Sequence, residues 1–443
     1  MVRTGNRAGG FLSRPSPPEA DVLTLRLHTL SNGVRVVCDP IPGLQTVAVC
    51  VAVAAGARHE APEQSGWSHF LEHMVFKGAG EMSAREIVER IEGGGGSINA
   101  STGYERTVFE VRAMADGLET ALQVIADLIF HPVFEPGEIE REKDVVAQEI
   151  AEAFDTPDDH VFEMAQARAF ADQSLGRPIL GQVETLAPID RERLKRFRRE
   201  QYRPDRIVVS VSGAVEEDRL LALVERAFGE GVPLSETPMP PARFEGGEAR
   251  LARRIEQSNL VFLLPSLGNA DSRRPALRLG VEILGGGMAS RLFQTAREER
   301  GLAYAVDAWH EGYADCGVLG IYAGAAADRA GELAQVCGET LLALATDGPT
   351  ETELNRARAV AVASIRMSDE SPAARAGRWA GQICVLGHTL DSDAMVEEVS
   401  AQDAAAVRAA LAACLEPRRT ATAVLGPRAG LSAGLLFERA ITG

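Results

Sequence analysis

The 443-residue sequence has no segment that approaches the ~18 uncharged apolar residues needed to cross a bilayer, so membrane insertion is not expected. Its longest mild run, TVAVCVAVAAGA (46–57), is short and reads as a buried strand. It also lacks any Cys-x-x-Cys pair. The six cysteines (Cys38, Cys50, Cys316, Cys337, Cys384, Cys414) are scattered, which points to buried free thiols rather than a disulfide framework. A basic surplus is missing: 46 Lys and Arg stand against 63 Asp and Glu, a formal net charge of −17. That argues against nucleic acid as a partner, because phosphate binding needs a basic face. It suits a cationic ligand such as a basic peptide, although plain solubility accounts for it as well. Lysine is almost absent, with Lys77, Lys143 and Lys195 the only three. The first twenty residues, MVRTGNRAGGFLSRPSPPEA, have no apolar stretch of the secretory type, and their glycines and prolines read as a disordered tail over residues 1–22. The location expected is cytoplasmic for a bacterial chain. Arg3, Arg7 and Arg14 before the first acid allow the mitochondrial matrix for a eukaryotic one.

What is present divides into two. The length suggests several domains of ordinary size. The stretch VPLSETPMPPARFEGGEA (232–249) is rich in Pro and Gly and has no apolar period, so it reads as a linker between a domain at 23–231 and one at 250–443. The halves look alike. Each opens on an apolar strand (46–56, then 259–267) and passes through a helix into a glycine cluster (85–98, then 277–290). Each closes on a β-rich run after a proline (202–213, then 415–425). The expected fold class is α+β: two homologous domains, each a mostly antiparallel sheet flanked by helices, related by internal duplication. In the first half ERTVFEVRAM (105–114) reads as a strand. EPGEIEREKDVVAQEIAEAF (135–154) reads as a helix, with Pro136 and Glu138 suited to its first turn.

Histidine is scarce, with eight in the chain, yet HFLEHMVFKG (69–78) has two of them four apart. On a helix over 65–78, residues i and i+4 share one face, so His69 and His73 can reach one ion. Zinc takes imidazole nitrogen at about 2.0–2.1 Å, which suits this spacing. Glu72 borders the same face, where a base acting on a water at the metal belongs, and the order is H-x-x-E-H. The bland alternative is a surface helix whose histidines do nothing. A catalytic zinc needs a third protein ligand. The 135–154 helix offers Glu142 and Glu149, seven apart on one face, with Glu138 and Glu152 near it, and helical geometry does not choose among them. His28, His59, His131, His160, His310 and His388 have no such partners and read as ordinary residues.

HFLEHMVFKG, followed by EGGGGSINASTGYERTVFEV and then VVAQEIAEAF, resembles the pitrilysin-like zinc peptidases, above all the group that includes bacterial and mitochondrial processing peptidases. The resemblance runs from about residue 30 to about 425. It implies one Zn2+ per chain, with Glu149 as the third ligand and Glu142 as a supporting acid. In AREERGLAY it implies that Arg297 holds a substrate carbonyl and that Tyr304 donates to the oxyanion. It makes SINAST (97–102) an edge strand to which an extended peptide adds, with Asn99 and Ala100 nearest the scissile bond. It implies a homodimer in which the arginine and tyrosine come from the partner subunit. The function expected is a zinc metalloendopeptidase acting on unfolded or presequence-like peptides, by a metal-activated water with Glu72 as general base. The alternative is a non-catalytic structural or substrate-binding subunit of a peptidase or respiratory complex. Trp67 and Ala79 depart from the family pattern and are expected to be packing variation.

Overall fold

The computed structural model describes residues 25–232, 239–415 and 419–442. The tail expected over 1–22 lies outside the described residues. The first half runs β1 (Arg26–Thr29), β2 (Arg35–Pro40), β3 (Thr46–Val53), α1 (Trp67–Val75), a short hairpin of β4 (Gly78–Ala79) and β5 (Met82–Ser83), α2 (Ala84–Glu92), β6 (Ser97–Thr102), β7 (Thr107–Met114), α3 (Leu118–Phe130), α4 (Pro136–Asp155), α5 (Pro157–Ala169), α6 (Val183–Leu186), α7 (Arg191–Gln201), β8 (Ile207–Gly213) and α8 (Glu217–Phe228). The second half runs β9 (Gly247–Ala252), β10 (Gln257–Ser266), α9 (Arg274–Gly285), a π-helical turn (Phe293–Glu299), β11 (Ala305–Gly312), β12 (Gly317–Ala326), α10 (Ala330–Asp347), α11 (Glu351–Asp369), α12 (Pro372–Leu386), α13 (Ser392–Ser400), α14 (Ala404–Leu415), β13 (Ala421–Gly426) and α15 (Ala433–Thr442). Residues 247–249, read from sequence as the end of a linker, are the first residues of β9.

The first sheet has the order β1-β2-β8-β3-β7-β6 and the second β11-β12-β10-β13-β9. Read from opposite ends these are one topology, with β1 an additional edge. In each sheet the equivalent pair, β2–β8 or β9–β13, runs parallel, and the other neighbours pair antiparallel. The α+β duplication is thus present. The helix at 277–285 does not correspond to α2, although both run into glycine clusters. It is α9, which packs on α11, α14 and β11, as α1 packs on α4 and β6. Local punctuation matched the wrong pair, because packing partners, not the following glycines, define equivalence.

The central strands are continuous apolar runs because both faces are covered. In β3, Val47, Val49, Val51 and Val53 enter the main core with Phe70, Leu71 and Met74 of α1. Ala48, Cys50 and Ala52 face the other way and meet Ala376, Trp379, Ala380 and Ile383 of α12. That helix belongs to the second half of the chain. Reciprocally, Val161, Ala165 and Ala169 of α5, from the first half, cover Val261, Leu263, Ala421 and Ala423 of the second sheet. The halves therefore exchange a helix. The exchange is fastened by the buried Asp39, which accepts from Arg375 Nε at 2.7 Å, Trp379 Nε1 at 2.9 Å and Ser212 Oγ at 2.8 Å. A buried carboxylate with this many donors keeps its charge compensated.

All six cysteines are free. Cys38, Cys50, Cys337 and Cys414 are buried, and Cys316 and Cys384 half-buried. Among the described residues no helix is long and apolar enough to cross a membrane.

Candidate metal centre

The helix α1 starts abruptly. Gly66 before it has φ 91°, and a Cβ there would meet the Leu180 carbonyl oxygen at 2.6 Å, so glycine is required on both counts. Glu60 sits on the helix N-terminus and accepts from the backbone N–H groups of Gly66 (2.9 Å) and Ser68 (2.6 Å), replacing partners that the first turn lacks. Burial pushes the Glu60 carboxyl up to about 7, against the pull of those bonds and of Arg177. Trp67 is buried, donates Nε1 to the Thr185 carbonyl at 2.8 Å and lies edge-on to Phe197. Ala79 is fully buried. Both departures from the family pattern are packing positions.

With Phe70, Leu71, Met74 and Val75 turned into the core, the opposite face of α1 presents His69, Glu72 and His73 towards α4 and β6. The two imidazole rings lie 4.4 Å apart, centroid to centroid. Glu149 Oε2 is 3.9 Å from His69 Nε2 and 3.8 Å from His73 Nε2. These three donors lie within 4.8 Å of one another, and no other such trio of His, Cys, Asp or Glu occurs among the described residues. Of the acids on α4 left open by helical periodicity, Glu138 pairs with Arg141 and Glu152 is exposed. Glu149 Oε2 is buried with no hydrogen-bond partner, facing two ring nitrogens. A cation between them would satisfy that oxygen. Two imidazole nitrogens and one carboxylate oxygen suit zinc, and Glu149, with its side chain 37 % exposed, leaves one side of the site accessible. Burial, then the neighbouring His73, lowers His69 to about 4, which keeps its lone pair available at neutral pH.

Glu142 is buried. Its Oε1 lies 2.8 Å from His73 Nδ1 and its Oε2 2.6 Å from Lys77 Nζ. Burial would raise Glu142, but those two partners outweigh it and hold the carboxyl below its ordinary range. Burial likewise opposes protonation of His73, yet the Glu142 bond and the charges of Glu149, Glu142 and Glu72 win, and its pKa rises. Glu72 is raised by burial, offset in part by Thr102 Oγ1, which donates to its Oε2 at 2.8 Å. Asn99 and Ala100 lie on β6, the free edge of the first sheet beside α1. Asn99 is exposed, and Ala100 packs against the main core. Arg297 and Tyr304 meet each other on the second half: the guanidinium stands 5.7 Å from the Tyr304 ring and 4.7 Å from that of Phe293. Tyr304 is 82 % exposed, and no hydrogen bond or ion pair joins either residue to the metal donors in this chain.

Three residues of the centre escaped the sequence reading: Glu60, Lys77 and Thr102. Lys77 follows His73 by four, a spacing that places it on the same face. Thr102 alternates with Ala100 on the α1 side of β6. For Glu60 the sequence holds no comparable signal.

Residues 35–183 match the family model described as insulinase, peptidase family M16, and residues 188–360 match that of the peptidase M16 inactive domain. A protein of Bacillus subtilis (strain 168) named "Uncharacterized zinc protease YmxG" is 36 % identical over 378 residues, 85 % of this chain and 92 % of its own. A Streptomyces coelicolor protein, also named as an uncharacterized zinc protease, is 32 % identical over 429 residues, 95 % of this chain and 93 % of its own. Among solved structures, a peptidase M16 inactive domain from Pseudomonas fluorescens superposes with a TM-score of 0.84 at 20 % identity, over 91 % of this chain and 98 % of that one. A chain of complex III2 from Candida albicans does so with 0.81 at 18 % identity, over 95 % and 99 %. At these identities the two structures speak for the fold alone. The chain belongs to the M16 peptidase family, the insulinase or pitrilysin-like peptidases.

Proposed function

We propose that the protein is a zinc metalloendopeptidase. The observation that carries this reading is the convergence of His69, His73 and Glu149 around an unsatisfied carboxylate oxygen, with Glu72 alongside. The names of the Bacillus and Streptomyces relatives agree with it. When bound there, zinc would supply Lewis acidity, lowering the pKa of a water and polarising the scissile carbonyl. The protein's own groups do the rest. Thr102 engages one oxygen of Glu72 and leaves the other to take the proton of the attacking water and return it to the leaving amine. An extended peptide adds to the free edge of β6, where backbone bonds give affinity without reading side chains, and Asn99 and Ala100 flank the reacting bond. Arg297 holds a substrate carbonyl, and Tyr304 donates to the developing oxyanion.

Exposed Tyr304 and the accessible side of the metal centre favour a homodimer in which each copy completes the other's site. The acid surplus favours basic, unfolded or presequence-like substrates, met in the cytoplasm of a bacterial cell. The test is zinc analysis with cleavage of a quenched fluorescent peptide. Wild type should contain one zinc per chain and cleave. Glu72→Gln should keep the zinc and lose cleavage by about 10²–10⁴-fold. Equal cleavage by both would sink the assigned base, and zinc-loaded wild type without cleavage would favour a non-catalytic subunit. Mixing Glu72→Gln with Tyr304→Phe chains should restore activity if the site is shared between copies.

A further inference from the structure

The two histidines of the centre are not held alike. His73 Nδ1 lies 2.8 Å from Glu142 Oε1, and the other oxygen of that carboxylate accepts from Lys77 Nζ at 2.6 Å. Glu142 is 3 % exposed, so two partners fix it inside the protein. His69 has no such support, for its Nδ1 is buried and has no hydrogen-bond partner. The ring nitrogen that a ligand histidine does not offer to the metal decides, by the bond it makes, which tautomer is present and where the ring points. With Nδ1 donating to Glu142, His73 turns the lone pair of Nε2 towards Glu149 Oε2, 3.8 Å away. No comparable bond orients His69.

We infer that Lys77 is a positioning residue for the metal centre, acting through Glu142 on His73, the one imidazole of the pair whose Nδ1 has a carboxylate partner. This rests on the zinc-peptidase reading. Lys77 stands just past the C-terminus of α1, and its backbone N–H bonds the Met74 carbonyl at 3.2 Å, so its stem continues the same rigid piece that carries His73. An ammonium is favoured at that end of a helix. At 33 % side-chain exposure it turns one donor inward to Glu142 and keeps the others within reach of solvent. Without it, Glu142 loses the bond that stops its carboxylate from rotating, and His73 loses the orientation that the carboxylate imposes. The metal then has to order a ring that the protein had ordered beforehand.

The test uses the full chain in two readouts. In metal-free protein labelled with ¹⁵N-histidine, at a pH alkaline enough for the ring to be neutral, NMR should show His73 as the single Nδ1–H tautomer. Lys77→Met should convert it to a mixture. Zinc affinity, measured by competition with a chromogenic chelator, should weaken about 10–100-fold in Lys77→Met. Lys77→Arg, which keeps the charge, should recover most of the loss. If Lys77→Met does not fold, Lys77→Gln carries the same comparison. An unchanged tautomer, or zinc binding as tight in Lys77→Met as in wild type, overturns the inference. A wild type that binds no zinc at all defeats the peptidase reading instead, and the tautomer of metal-free protein still decides the role of Lys77.

Discussion

The helix pair α1–α4 in the first half and the pair α9–α11 in the second occupy the same places in one topology, but their interfaces are filled by different chemistry. Between α1 and α4 stand His69, Glu72, His73, Glu142 and Glu149. α9 and α11 instead bury Ala276, Leu277, Leu279, Ile283, Leu284, Leu354, Ala357, Ala361 and Ile365, all members of one apolar cluster. Burying carboxylates and imidazoles costs free energy unless each finds a partner. The first half provides partners for Glu72, His73 and Glu142 through Thr102, Lys77 and one another and leaves His69 Nδ1 and Glu149 Oε2 without any, and the second half avoids the cost by packing. The same backbone thus carries a centre in one copy and only a core in the other. Function lies in the side chains grafted onto the fold, not in the fold.

That contrast can be broken at several points. The largest effect is expected from Glu149→Ala: zinc binding and peptide cleavage should both disappear, with the unfolding midpoint of metal-free protein little changed because Glu149 is partly exposed. Ile365→Ala, in the equivalent pair, should do the reverse. It should leave zinc content and cleavage intact and lower stability by about 2–5 kcal/mol in denaturant titration. Retained zinc in the first variant, or lost zinc in the second, would erase the distinction.

Next in size is an attempt to give the first half the packing of the second. Glu142→Leu alone should lower the unfolding temperature in chelator, because Lys77 and His73 lose their shared acceptor. The triple variant His73→Leu, Glu142→Leu, Lys77→Met should unfold at or above the wild-type temperature under the same conditions, since apolar replacement of a whole buried ionic set is commonly neutral or stabilising. A triple variant weaker than the single one would contradict this.

The smallest effect concerns Glu60 at the start of α1, a buried carboxylate on two backbone N–H groups where α9 has Asp271 on the Arg273 N–H. Its folded pKa of about 7 lies above the ordinary value of 4.5, so between those values the native state binds more protons than the unfolded chain. This contribution to stability is full below pH 4.5 and is lost as the pH rises through 7. Glu60→Gln should flatten the fall in unfolding temperature between pH 5 and pH 8, and an unaltered slope would place the pH dependence elsewhere.

Much of this was legible in one dimension. The run 46–57 announced β3 because a strand covered on both faces has no polar alternation. The expected helix 135–154 differs from α4 by a single residue at each end, since Pro136 marks its first turn. The spacing of His69 and His73 by itself puts both rings on one face of a helix. Other features could not be read in this way. Four acids on α4 satisfy the same periodicity, and the choice of Glu149 needed either the family resemblance or the position of α1. The exchange of α5 and α12 leaves no local trace, because each helix needs only an apolar stripe and its own composition does not say which sheet will cover it. The mistaken pairing of α2 with α9 has the same origin.

By itself, then, the amino-acid order pointed to the main elements and to two imidazoles on one helix, which follow from interactions within a few residues along the chain, and the repeated order of those elements pointed to the duplication. The tertiary structure brings Glu149, the acid that the resemblance implied, to those rings, and it alone decided that Lys77 and Thr102 hold Glu142 and Glu72 and that each half lends the other a helix. Those contacts join residues that are distant along the chain or held on separate elements, and their geometry exists only once the sheets have packed.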